Sequence, residues 1–100
     1  MIADIEVTRD GAVQIIRLAR PAKKNALTSA MYRAISDAFE SGDAEPDIAI
    51  HVVVGSDGIF SAGNDIGDFL ATSKGSGGMS ADVERFVRLL PNIAKPIIAG

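Results

Sequence analysis

The sequence predicts an α/β fold, in which segments with a strand's pattern alternate with stretches whose apolar residues recur at helical spacing. Three observations carry this expectation. Val13, Ile15, Ile16 and Leu18 give one apolar segment with a strand's pattern, and Ile48-Ala49-Ile50-His51-Val52-Val53-Val54 gives a second that is almost uninterruptedly apolar and β-branched. Between them Leu27, Met31, Ala34, Ile35 and Ala38 share one face of a helix. Over 100 residues, 47% are apolar and 23% are charged, the balance of a chain that packs a core. Residues 1–100 read as one continuous unit, without an internal repeat.

The elements follow in order. Ile5 and Val7 alternate with polar residues, Asp10-Gly11 marks a turn, and residues 13–18 return as the second arm of a β-hairpin. Pro21 opens a loop, since proline disfavours helix in the residue before it and lacks an amide hydrogen. Thr28 is the expected N-cap of a helix over 29–40, with Leu27 and Tyr32 placed as a hydrophobic staple and Ser41-Gly42-Asp43 as the stop. The strand over 48–54 is apolar enough to be covered on both faces, as parallel strands are. Gly55-Ser56-Asp57-Gly58 ends it, and a short apolar piece over 59–62 runs into Gly63-Asn64-Asp65. Asp65 then caps a short helix over 66–71, with Asp68 in its first turn. After the glycine-rich stretch 74–78, Ser80 caps a helix with Val83, Phe86, Val87 and Leu90 on one face, which Pro91 bends or ends. Residues 95–100 begin another buried strand. Domains seldom end inside an apolar strand, whose side chains and free edge need neighbours, so the chain reads as the N-terminal part of a larger domain.

Composition excludes several function classes. No apolar run approaches the roughly 18–20 residues of a membrane-spanning helix. The N-terminus carries no basic segment followed by an apolar one, so no secretory signal is expected and the cytosol or an organelle matrix is the expected compartment. With no cysteine and one histidine, neither a disulfide scaffold nor a thiolate or histidine-rich metal site is expected. The net charge of −3 argues against a broad nucleic-acid surface. Charge is nevertheless uneven: Arg17, Arg20, Lys23 and Lys24 fall within eight residues that hold no acid, leaving six cations against thirteen acids elsewhere. That patch suits a phosphate-bearing small molecule, though solvated loop charges would look the same.

Most candidate motifs reduce to structure. Gly75-Ser76-Gly77-Gly78 lacks the strand before it and the lysine-serine ending of a phosphate-binding loop. His51, Ser61 and an aspartate make no hydrolytic triad, because Ser61 is outside a G-x-S-x-G elbow and His51 lies within a strand. The spacing of Asp65 and Asp68 is explained by capping and by the helix dipole. One segment stands apart, Phe60-Ser61-Ala62-Gly63-Asn64-Asp65-Ile66. Small residues and a glycine at a strand-to-helix turn let backbone approach a ligand, and amides at a helix entrance lack intrahelical partners. Such donors suit developing negative charge, as on a thioester becoming enolate-like.

These residues resemble the crotonase superfamily, the enoyl-CoA hydratases and isomerases. The resemblance rests on Arg20-Pro21-Ala22-Lys23-Lys24-Asn25-Ala26-Leu27 with Met31, on the segment Phe60 to Asp65, and on Lys95-Pro96-Ile97-Ile98-Ala99-Gly100, in that order. It implies a spiral of ββα units, here incomplete at the C-terminus, and an acyl-CoA substrate with no metal or redox cofactor, coenzyme A being part of the substrate. By resemblance the backbone N–H of Asn64 is the first oxyanion donor, and Ala62, Gly63, Asp65 and Ile66 line the acyl-thioester site. Ala22, Lys23, Lys24 and Ala26 match the stretch holding the adenine and phosphate end of coenzyme A. Lys23, Lys24 and Asn64 depart from the commonest hydratase pattern and look more like Δ3,Δ2-enoyl-CoA isomerases. The second oxyanion donor and the family's catalytic glutamates match no position in these residues. Other chemistries of the superfamily (thioester hydrolysis, dehalogenation, decarboxylation) and a non-catalytic acyl-CoA-binding role remain open, and the resemblance implies a homotrimer or hexamer.

Overall fold

The computed structural model describes residues 4–56, 58–61, 63 and 81–100. Strands β1 (Ile5–Asp10) and β2 (Val13–Leu18) form the antiparallel hairpin, turning at Gly11 with φ 61°, a left-handed conformation that glycine adopts without penalty. Helix α1 (Ser29–Ala44) then carries the chain back to β3 (Ile50–Val54), which lies parallel to β2. A second crossover through α2 (Ala81–Leu89) and a 3₁₀ turn at Leu90–Asn92 brings β4 (Ile97–Ala99) parallel to β3. The sheet order is β1-β2-β3-β4. Parallel neighbours require such long connections, whereas a two-residue turn suffices for the hairpin.

The core lies between the sheet and α1. Ile5, Ile16, Leu18 and Val53 meet Met31, Ile35, Ala38 and Phe39, with Phe86 and Leu89 of α2 packed against the cluster. Thr28 caps α1 as expected, its Oγ1 accepting the Met31 amide at 3.2 Å. The helix buries a wider face than the stripe predicted, including Tyr32, Ser36 and Phe39. Phe86 stands edge-on to Tyr32 at 5.1 Å and stacks on Phe39 at 6.3 Å.

Several expectations are corrected. Residues 41–43 do not stop α1, which runs on to Ala44; Gly42 is a buried helical residue where an added Cβ would lie 2.4 Å from Gln14 Nε2 and 2.9 Å from His51 Cε1. Its glycine serves close approach of helix to sheet. Strand β3 starts two residues later than predicted, and only His51 and Val53 on its one face are buried, the alternate residues being half-buried. Strand β4 is the outer strand among the described residues, with Ile98 53% exposed. On α2, Phe86 and Leu89 reach the core, while Val87 and Leu90, assigned to the same face by spacing, are exposed. The predicted helix over 66–71, its capping Asp65 and Asp68, and the glycine-rich stretch 74–78 lie outside the described residues. No helix among the described residues is long and apolar enough to cross a membrane.

Candidate active site

The basic loop leaves β2 at its C-terminal end and folds into a 3₁₀ turn over Pro21–Lys23, with proline at its start where the missing amide hydrogen is harmless. Lys24 and Asn25 follow with φ 52° and 57°, two successive left-handed residues that are not glycine. Ala22, Lys23 and Lys24 are exposed and Ala26 is half-buried. The four-cation patch shrinks in three dimensions. Arg17 pairs with Glu6 across the hairpin at 2.9 Å, and Arg20 donates from Nη1 to the Ala26 carbonyl at 3.0 Å. Lys23 and Lys24 are left as the exposed cations of the loop.

Gly63, the described centre of the glycine turn, has φ 95° and is exposed. A Cβ added there meets no atom of the described residues within 4 Å. Its carbonyl accepts the Leu27 amide at 2.7 Å, which ties the turn to the end of the basic loop. Its own amide donates to Ser61 Oγ at 3.0 Å. Structure therefore brings two of the sequence-predicted regions together, the loop at Ala22, Lys23, Lys24 and Ala26 and the turn at Gly63. Ala62, Asn64, Asp65 and Ile66 lie outside the described residues.

Two residues join these regions that the sequence did not single out for this role, Asn25 and Ser61. Asn25 is fully buried; its Oδ1 accepts the Arg20 amide at 2.8 Å and the Ser56 hydroxyl at 3.2 Å, and its Nδ2 donates to the Ile59 carbonyl at 2.8 Å. The Ser61 hydroxyl donates to the Asn25 carbonyl at 2.9 Å. The available signal was the asparagine itself, one of the few side chains that tolerate the left-handed region. His51 is remote from this chemistry. It is buried near the start of β3, with Nδ1 accepting from Gln14 Nε2 at 3.1 Å, which leaves the ring proton on Nε2, 3.7 Å from Asp43 Oδ1. Burial holds its imidazole below the ordinary histidine range, opposed by the Asp43 carboxylate.

Residues 8–100 match the enoyl-CoA hydratase/isomerase family. The chain belongs to this family. An enoyl-CoA delta isomerase 2 of Rattus norvegicus is 35% identical over 95% of the chain and 25% of its own length. The enoyl-CoA hydratase EchA19 of Mycobacterium tuberculosis is 35% identical over 97% of the chain and 38% of its own. In structure, OdaA of Pseudomonas aeruginosa superposes with a TM-score of 0.87 at 35% identity, over 98% of the chain and 39% of OdaA. The α/β, crotonase-type fold expected from the sequence is thus shown. The chain spans between a quarter and two fifths of the length of these relatives.

Proposed function

We propose that these residues form the coenzyme A loop and the first half of the oxyanion site of an enzyme acting on enoyl-CoA thioesters, by hydration of a 2-enoyl group or by shift of a 3-enoyl double bond. One observation carries the reading: the glycine turn is hydrogen-bonded to the basic loop through Leu27 and Gly63, so a ligand whose phosphates lie on the loop presents its other end to the turn. Gly63's own amide and carbonyl are engaged within the protein, and the resemblance assigns the donor role to the next residue, through the main-chain N–H of Asn64. A thioester carbonyl gaining charge there is stabilised by a fixed dipole, a term whose loss raises a barrier by roughly 3–4 kcal/mol. Hydration needs groups that place water and shuttle a proton, whereas isomerisation can proceed with one base. The lysine pair and Asn64 favour the isomerase reading over hydration.

The test is turnover of crotonyl-CoA against that of a 3-enoyl-CoA by the protein and two variants. Gly63→Val is expected to abolish activity, since a β-branched residue is strained at φ 95° and adds bulk at the turn. Asn64→Ala keeps the amide and is expected to retain activity. Equal loss in both variants with an intact fold would assign the Asn64 side chain a role and defeat the main-chain reading. Turnover of neither substrate would instead favour an acyl-CoA-binding module.

A further inference from the structure

The bonds around Asn25 close on themselves. From its carbonyl the path runs to the Ser61 hydroxyl, to the Gly63 amide, through Gly63 to its carbonyl, to the Leu27 amide, and back along the chain to Asn25. A second set fixes Asn25 itself: its amide donates to the Arg20 carbonyl at 2.9 Å while its Oδ1 accepts the Arg20 amide, and Nδ2 holds the Ile59 carbonyl. Among the described residues of the turn, Phe60 is 43% exposed and Gly63 is exposed, and the strand-type pairing is an isolated bridge between Ser56 and Ile59. Segments with few buried apolar contacts open easily unless polar bonds restrain them.

We infer that Asn25 and Ser61 are positioning residues, a clasp that sets the main chain of the glycine turn from the basic loop, so that one rigid unit meets both ends of a coenzyme A thioester. The inference rests on the function proposed above. Asn25 holds the loop in its left-handed conformation and Ser61 transmits that geometry to Gly63. Neither side chain need touch the reacting carbonyl.

Amide hydrogen exchange on the ligand-free chain and titration with coenzyme A and with butyryl-CoA test this together. In Ser61→Ala, exchange at Leu27 and Gly63 rises by roughly tenfold, the effect of losing one hydrogen bond, while amides within α1 are unchanged. Affinity for free coenzyme A stays within about twofold, and the extra affinity conferred by the acyl thioester falls roughly five- to tenfold. Ser61→Thr, which keeps the hydroxyl, restores both. Asn25→Gly keeps the left-handed backbone without the side chain and is expected to weaken both ligands, because the loop itself loosens. Unchanged exchange at Leu27 and Gly63 in Ser61→Ala overturns the clasp, as does an equal loss of affinity for both ligands. If the unaltered protein binds neither ligand, the proposed function fails, while the exchange result still decides whether the clasp exists.

Discussion

At Gly42 two opposing effects can be weighed. Replacing a helical glycine by alanine ordinarily gains roughly 1 kcal/mol of helix propensity. Here the new methyl would lie 2.4 Å from Gln14 Nε2, which is itself committed to the Ala38 carbonyl and to His51. Overpacking of that kind costs about 1–3 kcal/mol, so Gly42→Ala is expected to be destabilising by urea unfolding, and a raised midpoint would show that Gln14 can yield. His51 beside it sets a pH dependence. The folded state keeps the imidazole neutral, while the unfolded chain titrates near the usual value of about 6.5. The unfolded state therefore binds more protons below that pH, and stability is complete above it and falls as pH drops through the depressed folded pKa. Asp43, held below the usual carboxylate range chiefly by the Ala94 amide, adds a loss at more acidic pH still. Unfolding midpoints at about pH 7.5 and 5.5 should differ, and His51→Gln should flatten that difference; an equal slope in the variant would remove His51 from the account.

Among elements, polar groups tie the C-terminal end of α1 to the segment that leads into β4. Lys95 donates from Nζ to the carbonyls of Gly42 and Glu45 at the C-terminus of α1, and Asp43 accepts the Ala94 and Lys95 amides at 3.0 and 3.1 Å. A cation on the last carbonyls meets both their missing donors and the negative end of the helix dipole. Lys95→Met should lower stability by about 1–2 kcal/mol while keeping the side chain's apolar length. By contrast Arg85 reaches Asp37 and Glu40 from α2 across an exposed surface, and Arg85→Gln should change stability by less than about 1 kcal/mol, less still in high salt. The reverse ranking of the two variants would mean that α2 is held by its ion pairs rather than by Phe86. Neither join was legible in the sequence, which showed Gly42 only as a helix stop and Lys95 only as part of a motif, because their partners are distant in the chain.

For the whole molecule, two exposed lysines stand where the proposed ligand would lie. Lys23 and Lys24 project from a chain whose net charge is −3, so coenzyme A binding should weaken as ionic strength rises from about 50 to 500 mM, and Lys23→Ala with Lys24→Ala should weaken binding and reduce that salt dependence. A flat salt response would place the phosphates elsewhere. By itself the sequence determined the hairpin, the two helices of the described residues, the order of strands along the chain, the capping by Thr28 and the motifs that place the chain in its family, since periodicity, turn residues and caps are local properties written within a few positions. Tertiary structure alone decided that Arg17 is neutralised by Glu6, that Gly42 is a point of close approach, and that Asn25 and Ser61 tie the loop to the turn. Each of these depends on residues brought together by strand register and helix docking, and a hydrogen bond 36 positions apart leaves no periodic trace along the chain.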